Sequence, residues 1–265
     1  MRYLIMCEGP NEKEIINILL ENDCLGNNAF GRITENELLG LTVYQRGVTM
    51  SEEKTIYTIT SGRNEHVFIH AMPGHFVSSS SHLNFYIGTS DIKHNHDVSV
   101  DAAMMLASYY HERGIEVDTV LCLYETQALG AYLAHELQRA NMLNPNPDST
   151  VYVLGPEYDA QGNIIFRDNL RKLIDGKRVL LLISCITSGK TIERAMESVN
   201  YYGGEAVGIS AVFSAIDEVD GVSVNSIFTK DDVPGYEAYP AHDCPLCREN
   251  KKVDAITNGY GYSLL

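Results

Sequence analysis

The chain has 265 residues, 45% of them apolar, which is enough for one large domain or two modest ones with an ordinary buried core and argues against disorder. A formal net charge of -15, with no cluster of Lys and Arg, argues against a nucleic-acid surface. No apolar run reaches the length of a membrane span, the opening MRYLIMCEGPNEKE turns acidic too soon for a secretory signal, and six scattered cysteines read as reduced thiols, so a cytoplasmic protein is expected.

Tyr3 to Met6 is a short apolar run, Gly9-Pro10-Asn11 a turn, and Ile15, Ile16, Leu19 and Leu20 recur at helical spacing, so the chain opens as strand, turn, helix. From Met50, MSEEKTIYTITSGRNEHVFIHAMPGHFV alternates apolar and polar residues around a glycine turn, as a β-hairpin does. That change of character divides the chain into an extension, 1–49, and a main domain, 50–265. Then helices and strands alternate. Val100 to Arg113 is a predicted helix with Val100, Ala103, Met104, Ala107 and Tyr110 on one side, capped by Asp97 or Ser99. VDTVLCLY is a buried strand, ALGAYLAHELQRAN a helix, STVYVLG a strand, Phe166 to Ile174 a short helix, and KRVLLLIS another buried strand. Thr191 to Tyr202 is a helix, followed by the strands EAVGISAVFSAI and GVSVNSIFT. Unbroken apolar strands alternating with helices predict an α/β fold, a doubly wound, mostly parallel sheet covered on both faces. Ligands of such sheets sit at the carboxyl ends of the strands.

CITSGKT, Cys185 to Thr191, leaves one of those strands and enters a helix. Backbone N–H groups at a helix start face a common point, and the helix dipole favours an anion there. Gly189 allows close approach, the hydroxyls of Thr187, Ser188 and Thr191 add donors, and Lys190 adds charge. A plain capped turn uses the same Thr and Ser. A nucleotide-hydrolase P-loop would need glycine at position 184, which is Ser, and a later metal-binding Asp, for which only Asp217 stands at a strand end.

GKRVLLLISCITSGKTIERAMESVNYYGGEAVGISAVFS resembles the ribose-phosphate motif of type I phosphoribosyltransferases, the orotate phosphoribosyltransferases in particular. PGHFVSSSSHLNFYIG (73–88) is similar to that family's N-terminal segment near the base. VLCLYETQALGAYLAHEL (120–137) is similar to its strand, pyrophosphate loop and helix, and CPLCREN to its tail. The resemblance implies transfer of ribose 5-phosphate from phosphoribosyl pyrophosphate (PRPP) to a nucleobase, with Mg²⁺, in a homodimer. It implies that Thr187, Ser188, Gly189, Lys190 and Thr191 cradle the 5-phosphate, and that Glu125, Thr126 and Gln127 line the pyrophosphate. No residue is assigned as catalytic.

Three departures stand beside the resemblance. The family's acidic pair before the loop is Ile183-Ser184, and Ser184 alone can offer the sugar a bond. Two lost charge-assisted hydrogen bonds at about 1.5–3 kcal/mol each cost on the order of 10² to 10⁴ in binding or rate. The family's Lys-rich loop corresponds to PEYDAQGNIIFRDNLRKLIDG, whose basic residues Arg167, Arg171 and Lys172 come late. AVFSAIDEVDG, directly after AVGIS, has no basic residue, and Ser79 stands where a base-site Lys is expected. A transferase with another acceptor and a non-catalytic PRPP- or nucleotide-binding protein therefore both stay open, with the P-loop reading behind them.

Other constellations are smaller. Cys244 and Cys247 in HDCPLCREN have metal-ligand spacing with His242 near, but no second cysteine pair supplies the four ligands of a structural zinc, so the expectation is packed thiols, or a zinc shared across a dimer. The histidines of KHNHD and HVFIHAMPGH read as solvated residues, with a metal site as the alternative. CEGPNEKEIINILLEN resembles the opening of a Toprim domain, with Glu8 as its metal-binding acid, but 24–49 lack the Asp-x-Asp partner, so an accessory strand–helix unit is expected.

Overall fold

The structure is a computed structural model that describes residues 55–141, 150–159 and 163–265. The opening strand and helix, the Toprim-like segment with Glu8, and the boundary near residue 50 lie outside the described residues.

β1 (Tyr57–Ser61) and β2 (Asn64–Val77) form the expected antiparallel hairpin, and β3 (His82–Gly88) returns along β2 after the four-serine turn. α1 (Ser90–His94) leads directly into α2 (His96–Arg113). This helix begins four residues earlier than its apolar pattern predicts. Its cap is Asn95, not Asp97 or Ser99: the Asn95 side chain accepts from the amides of Asp97 and Val98. The buried stripe also differs, because Met104 is exposed while Ser99, Ala102 and Leu106 join Ala103, Ala107 and Tyr110 inside. The helix is covered by β2 as well as by the main sheet, so the face it buries is wider than one sheet would require.

β4 (Thr119–Cys122), α3 (Gln127–Asn141) and β5 (Tyr152–Leu154) come next. A two-stranded hairpin, β6 (Glu157–Tyr158) with β7 (Ile164–Ile165), and the short α4 (Asp168–Arg171) precede β8 (Arg178–Ile186). α5 (Lys190–Tyr201), β9 (Glu205–Ser214), β10 (Glu218–Val219) and β11 (Val222–Thr229) complete the main sheet. Its order is β10-β11-β9-β8-β4-β5, parallel throughout except where β10 pairs with β11. This is the doubly wound α/β sheet that the strand–helix alternation predicts.

Side-chain alternation along β8 divides the core. Leu180 and Leu182 pack with Ala103, Leu106 and Tyr110 of α2 and with Leu129 and Leu133 of α3. Val179, Leu181 and Ile183 pack with Ile192, Ala195 and Val199 of α5 on the other face. Both faces are therefore dry, as the continuous apolar runs require.

A second six-stranded sheet was not evident from the sequence. β12 (Ala238–Tyr239) joins β3, and β13 (Ala255–Asn258) runs parallel to the end of β2 before turning back as β14 (Gly261–Leu264). The short α6 (Pro245–Arg248) lies just before β13. The C-terminal segment is thereby returned to the hairpin near the start of the described domain.

Candidate functional site

β8 ends at Ile186 and α5 begins at Lys190, so Thr187, Ser188 and Gly189 form the turn at the carboxyl edge of the sheet. Gly189 holds φ 81°, and a Cβ there would lie 3.0 Å from Ile216 Cδ1 and 3.2 Å from Val219 Cγ2, so the turn needs glycine for both conformation and space. The Gly189 carbonyl accepts from the amides of Ile192 (2.8 Å) and Glu193 (3.0 Å). The helix therefore starts here, and the amides of Lys190 and Thr191, ahead of Ile192, have no carbonyl within the helix to meet. Ser188 and Lys190 are exposed, and Thr187 and Thr191 are half-buried at the edge of a cleft.

The opposite edge of the cleft is the turn between β2 and β3. Ser78 closes it, donating from Oγ to the Ser81 carbonyl (2.9 Å) and accepting from the Ser81 amide (3.0 Å). Ser80 Oγ then lies 3.3 Å from Ser188 Oγ, which joins this turn to the loop between β8 and α5. Between the two turns the cleft is lined by Tyr86, Tyr124, Ile183, Cys185, Phe213 and Tyr236, with a cavity volume of about 120 Å³. Tyr236 is 6% exposed, and among the described residues its hydroxyl has no hydrogen-bond partner. Burial, followed by Cys185 and Tyr262 nearby, pushes the Tyr86 phenol up to about 12. Burial likewise pushes the Cys185 thiol up to about 12. The wall is therefore apolar and neutral, with Cys185 a thiol and not a thiolate nucleophile.

The loop after β4 is the third component. Tyr124 (φ 51°) and Glu125 (φ 59°) are consecutive left-handed residues that are not glycine, a conformation costing roughly 1–2 kcal/mol each. Bonds to the neighbouring strand hold them: the Leu123 amide donates to the Leu182 carbonyl (2.8 Å), and Thr126 Oγ1 donates to the carbonyls of Leu123 (2.9 Å) and Leu182 (3.2 Å). Such strain, over-determined by its surroundings, marks functional loops. Thr126 is fully buried and its hydroxyl is spent on these carbonyls, so only Glu125 and Gln127 of the three expected pyrophosphate residues present side chains to solvent. Tyr124 stacks on Tyr158, and a Cβ on Gly259 would sit 2.2 Å from the Tyr124 ring.

Lys93 was missed from the sequence. It is 3% exposed, donates to the Gly259 carbonyl (3.2 Å), and lies 4.0 Å from Glu125 Oε2. It places a cation behind the strained loop, and Lys190 places another at the opposite side. Nothing in KHNHD distinguishes it, because its burial depends on β13 and the tail folding over it.

The other expected residues are less central. Ser184 is 3% exposed and does not line the cleft, whereas Ile183 and Cys185 do, so the sugar contact expected of Ser184 has no place on this wall. Arg167 is paired with Glu157 across the β6–β7 hairpin, and Arg171 lies over the Tyr202 ring at 6.0 Å. Asp217 is exposed beyond the end of β9. The residues at the cleft do not fit a protein-held magnesium: positions 183 and 184 supply no carboxylate, and Glu125 already faces Lys93.

Cys244 and Cys247 are brought together, but not with His242, which is exposed and stands apart from their donor group. Their partners are His75, read from sequence as solvated, and His82, which the sequence reading did not single out. β2 and β3 bring His75 and His82 side by side, and the tail returns across them.

In sequence, the chain is 29% identical over 199 residues to the orotate phosphoribosyltransferase of Wolinella succinogenes, covering 68% of this chain and 88% of that protein. It is 26% identical over 193 residues to that of Sulfurimonas denitrificans, covering 68% and 89%. The chain resembles the orotate phosphoribosyltransferases. No protein-family model matches it. Among solved structures, an orotate phosphoribosyltransferase of Mycobacterium tuberculosis in complex with 5-phospho-alpha-D-ribosyl 1-diphosphate aligns at TM-score 0.42 and 18% identity, covering 56% of this chain and 82% of that one. An adenine phosphoribosyltransferase of Thermoanaerobacter pseudethanolicus aligns at TM-score 0.42 and 14% identity, covering 66% and 95%. No helix among the described residues is long and apolar enough to cross a membrane.

Proposed function

We propose that the cleft binds PRPP and passes its ribose 5-phosphate to a nucleobase, as the resemblance to orotate phosphoribosyltransferases suggests. The observation that carries this reading is the turn Thr187–Thr191. It is an open helix N-terminus with a required left-handed glycine, facing an aromatic cleft that ends at a strained loop. The 5-phosphate would take the free amides and hydroxyls of that turn. The diphosphate would lie toward Glu125 and Gln127, with Lys93 behind them. The base would enter among Tyr86, Phe213 and Tyr236. As the C1–O bond to diphosphate breaks and a bond from C1 to the base nitrogen forms, an oxocarbenium-like centre needs positioning and charge compensation. Magnesium would enter with the diphosphate as its counter-ion. A homodimer belongs to the same proposal.

One observation favours a second reading, binding without turnover. Ile183 belongs to the apolar cluster under α5 and Ser184 faces away from the cleft, so the sugar hydroxyls meet no carboxylate. The P-loop reading has no comparable support, since position 184 is a strand residue and Asp217 lies out in solvent. Transfer of isotope from PRPP to a panel of purine and pyrimidine bases tests the first reading, and orotate is one member of the panel. Product with any base supports transfer. PRPP binding by calorimetry without product with any base supports the second reading, and neither binding nor product refutes both.

A further inference from the structure

His75 Nε2, His82 Nδ1 and the sulfurs of Cys244 and Cys247 all lie within 4.8 Å of one another. The four residues come from three parts of the chain: the end of β2, the start of β3, and the turn around α6, with His82 and Cys247 separated by 165 positions. We infer that these four side chains hold a tetrahedral zinc ion that clamps the C-terminal segment onto the β2–β3 hairpin.

The geometry fits before any ion is added. Ligand bonds of about 2.0–2.3 Å at tetrahedral angles place neighbouring donor atoms roughly 3.3–3.8 Å apart. The observed separations are 3.0 Å between the two imidazole nitrogens, 3.6 and 3.7 Å from His75 Nε2 to the sulfurs of Cys247 and Cys244, and 3.3 Å from His82 Nδ1 to Cys247. The tautomer of His75 is dictated by its other nitrogen. Nδ1 lies 3.0 Å from the Lys251 carbonyl, which can only accept, so Nδ1 carries the hydrogen and the lone pair of Nε2 points into the group. That is the arrangement in which a backbone carbonyl orients a metal-bound imidazole.

The donor set selects the metal. Two imidazoles and two thiolates in a closed tetrahedron suit zinc, and their charges sum to zero with a divalent ion. Neutrality matters because His75 is 2% and Cys244 1% exposed, and an uncompensated charge there would be costly. All four positions are protein side chains, so no coordination site is left for a substrate, and the role is structural.

The placement gives the ion a consequence for the cleft. The turn Ser78–Ser81, which meets the loop between β8 and α5 through Ser80, is the link between His75 and His82. Beyond Cys247, Asp254 holds the backbone of His75 in both directions, and β13 then carries Asn258 and Gly259 to the cleft wall. One ion therefore holds two of the cleft's walls. The inference stands whatever the cleft binds.

Metal analysis of the full chain, purified under reducing conditions without chelator, is the test. The expected result is close to one zinc per chain. Cys247→Ser and His82→Ala should each lower the zinc retained after dialysis by roughly tenfold or more, while His242→Ala keeps it. Reloading the stripped wild-type protein with Co²⁺ should give the intense thiolate-to-cobalt charge-transfer band, and zinc should slow modification of the exposed Cys247 by a thiol reagent. Should either ligand variant fail to fold, the wild-type stoichiometry, cobalt spectrum and thiol protection still decide the matter. Less than a tenth of an equivalent of zinc together with no cobalt band would overturn the inference, as would loss of zinc in His242→Ala.

Discussion

Tyr236→Phe should move stability and affinity in opposite directions. The Tyr236 hydroxyl is buried beside Cys185 and Phe213 and, among the described residues, meets no partner. An unsatisfied buried polar group costs about 1–3 kcal/mol, so deleting it from the ligand-free protein should stabilise by about 1 kcal/mol or more. For a domain of this size each kcal/mol corresponds to roughly 2–4 °C in Tm. The variant should therefore melt at least about 2 °C higher in the absence of ligand. On the proposed function, a base or nucleotide that reaches this hydroxyl by displacing the wall would gain a net hydrogen bond of about 0.5–1.5 kcal/mol, whose loss converts to roughly 2- to 13-fold in Kd. Thermal unfolding without ligand, and calorimetry with uridine and orotidine 5′-monophosphates, measure the two halves. A variant that melts lower than the parent chain and binds both nucleotides unchanged would refute the reasoning, since the hydroxyl would then be satisfied within the protein and irrelevant to the cleft.

Gly189→Ala forces a left-handed alanine against Ile216 and Val219. It should cost about 1–2 kcal/mol, read as a fall of roughly 2–8 °C in Tm, with a matching loss of PRPP affinity in calorimetry. Lys93→Met should leave the Gly259 carbonyl and Glu125 without their cation and weaken PRPP binding about tenfold, while a salt titration of the parent chain should show little screening of a group so buried. At the far edge of the sheet, the Arg178 guanidinium bonds Asp118 and holds its carboxyl below the usual carboxylate range. A depressed folded pKa contributes stability that is present above the unfolded value of about 3.9 and is lost as pH falls through the lower folded value. Tm measured from pH 7 to pH 3 should therefore fall less steeply in Asp118→Asn than in the parent chain, and parallel curves would show that the pair contributes nothing.

The main sheet could be read directly from the residues. Runs such as VLLLIS and VLCL permit no solvated face, and the intervening helical stretches supply the two covering layers. The turn Thr187–Thr191 was legible for the same local reason: small polar residues and glycine between a buried strand and a helix describe a strand-to-helix turn without reference to distant parts of the chain. The start of α2 was misplaced because Asn95 can cap a helix only if Asp97 and Val98 already lie within it. The pattern reading weighed Asp97 and Ser99 instead. The single apolar stripe failed because β2 packs on a second side of that helix.

By itself, then, the sequence determined what depends on neighbours along the chain: strand and helix periodicity, the glycine at the loop, and uncharged residues at 183 and 184. Only the tertiary structure decided what depends on distant segments meeting. The burial of Lys93 under Gly259, the orphaned hydroxyl of Tyr236, and the pairing of two histidines with two cysteines more than a hundred residues away are of that kind. Periodicity records which face of an element is dry, whereas a donor set or a buried cation is defined by atoms a few ångströms apart, and that separation exists only once the C-terminal segment has returned to the β2–β3 hairpin.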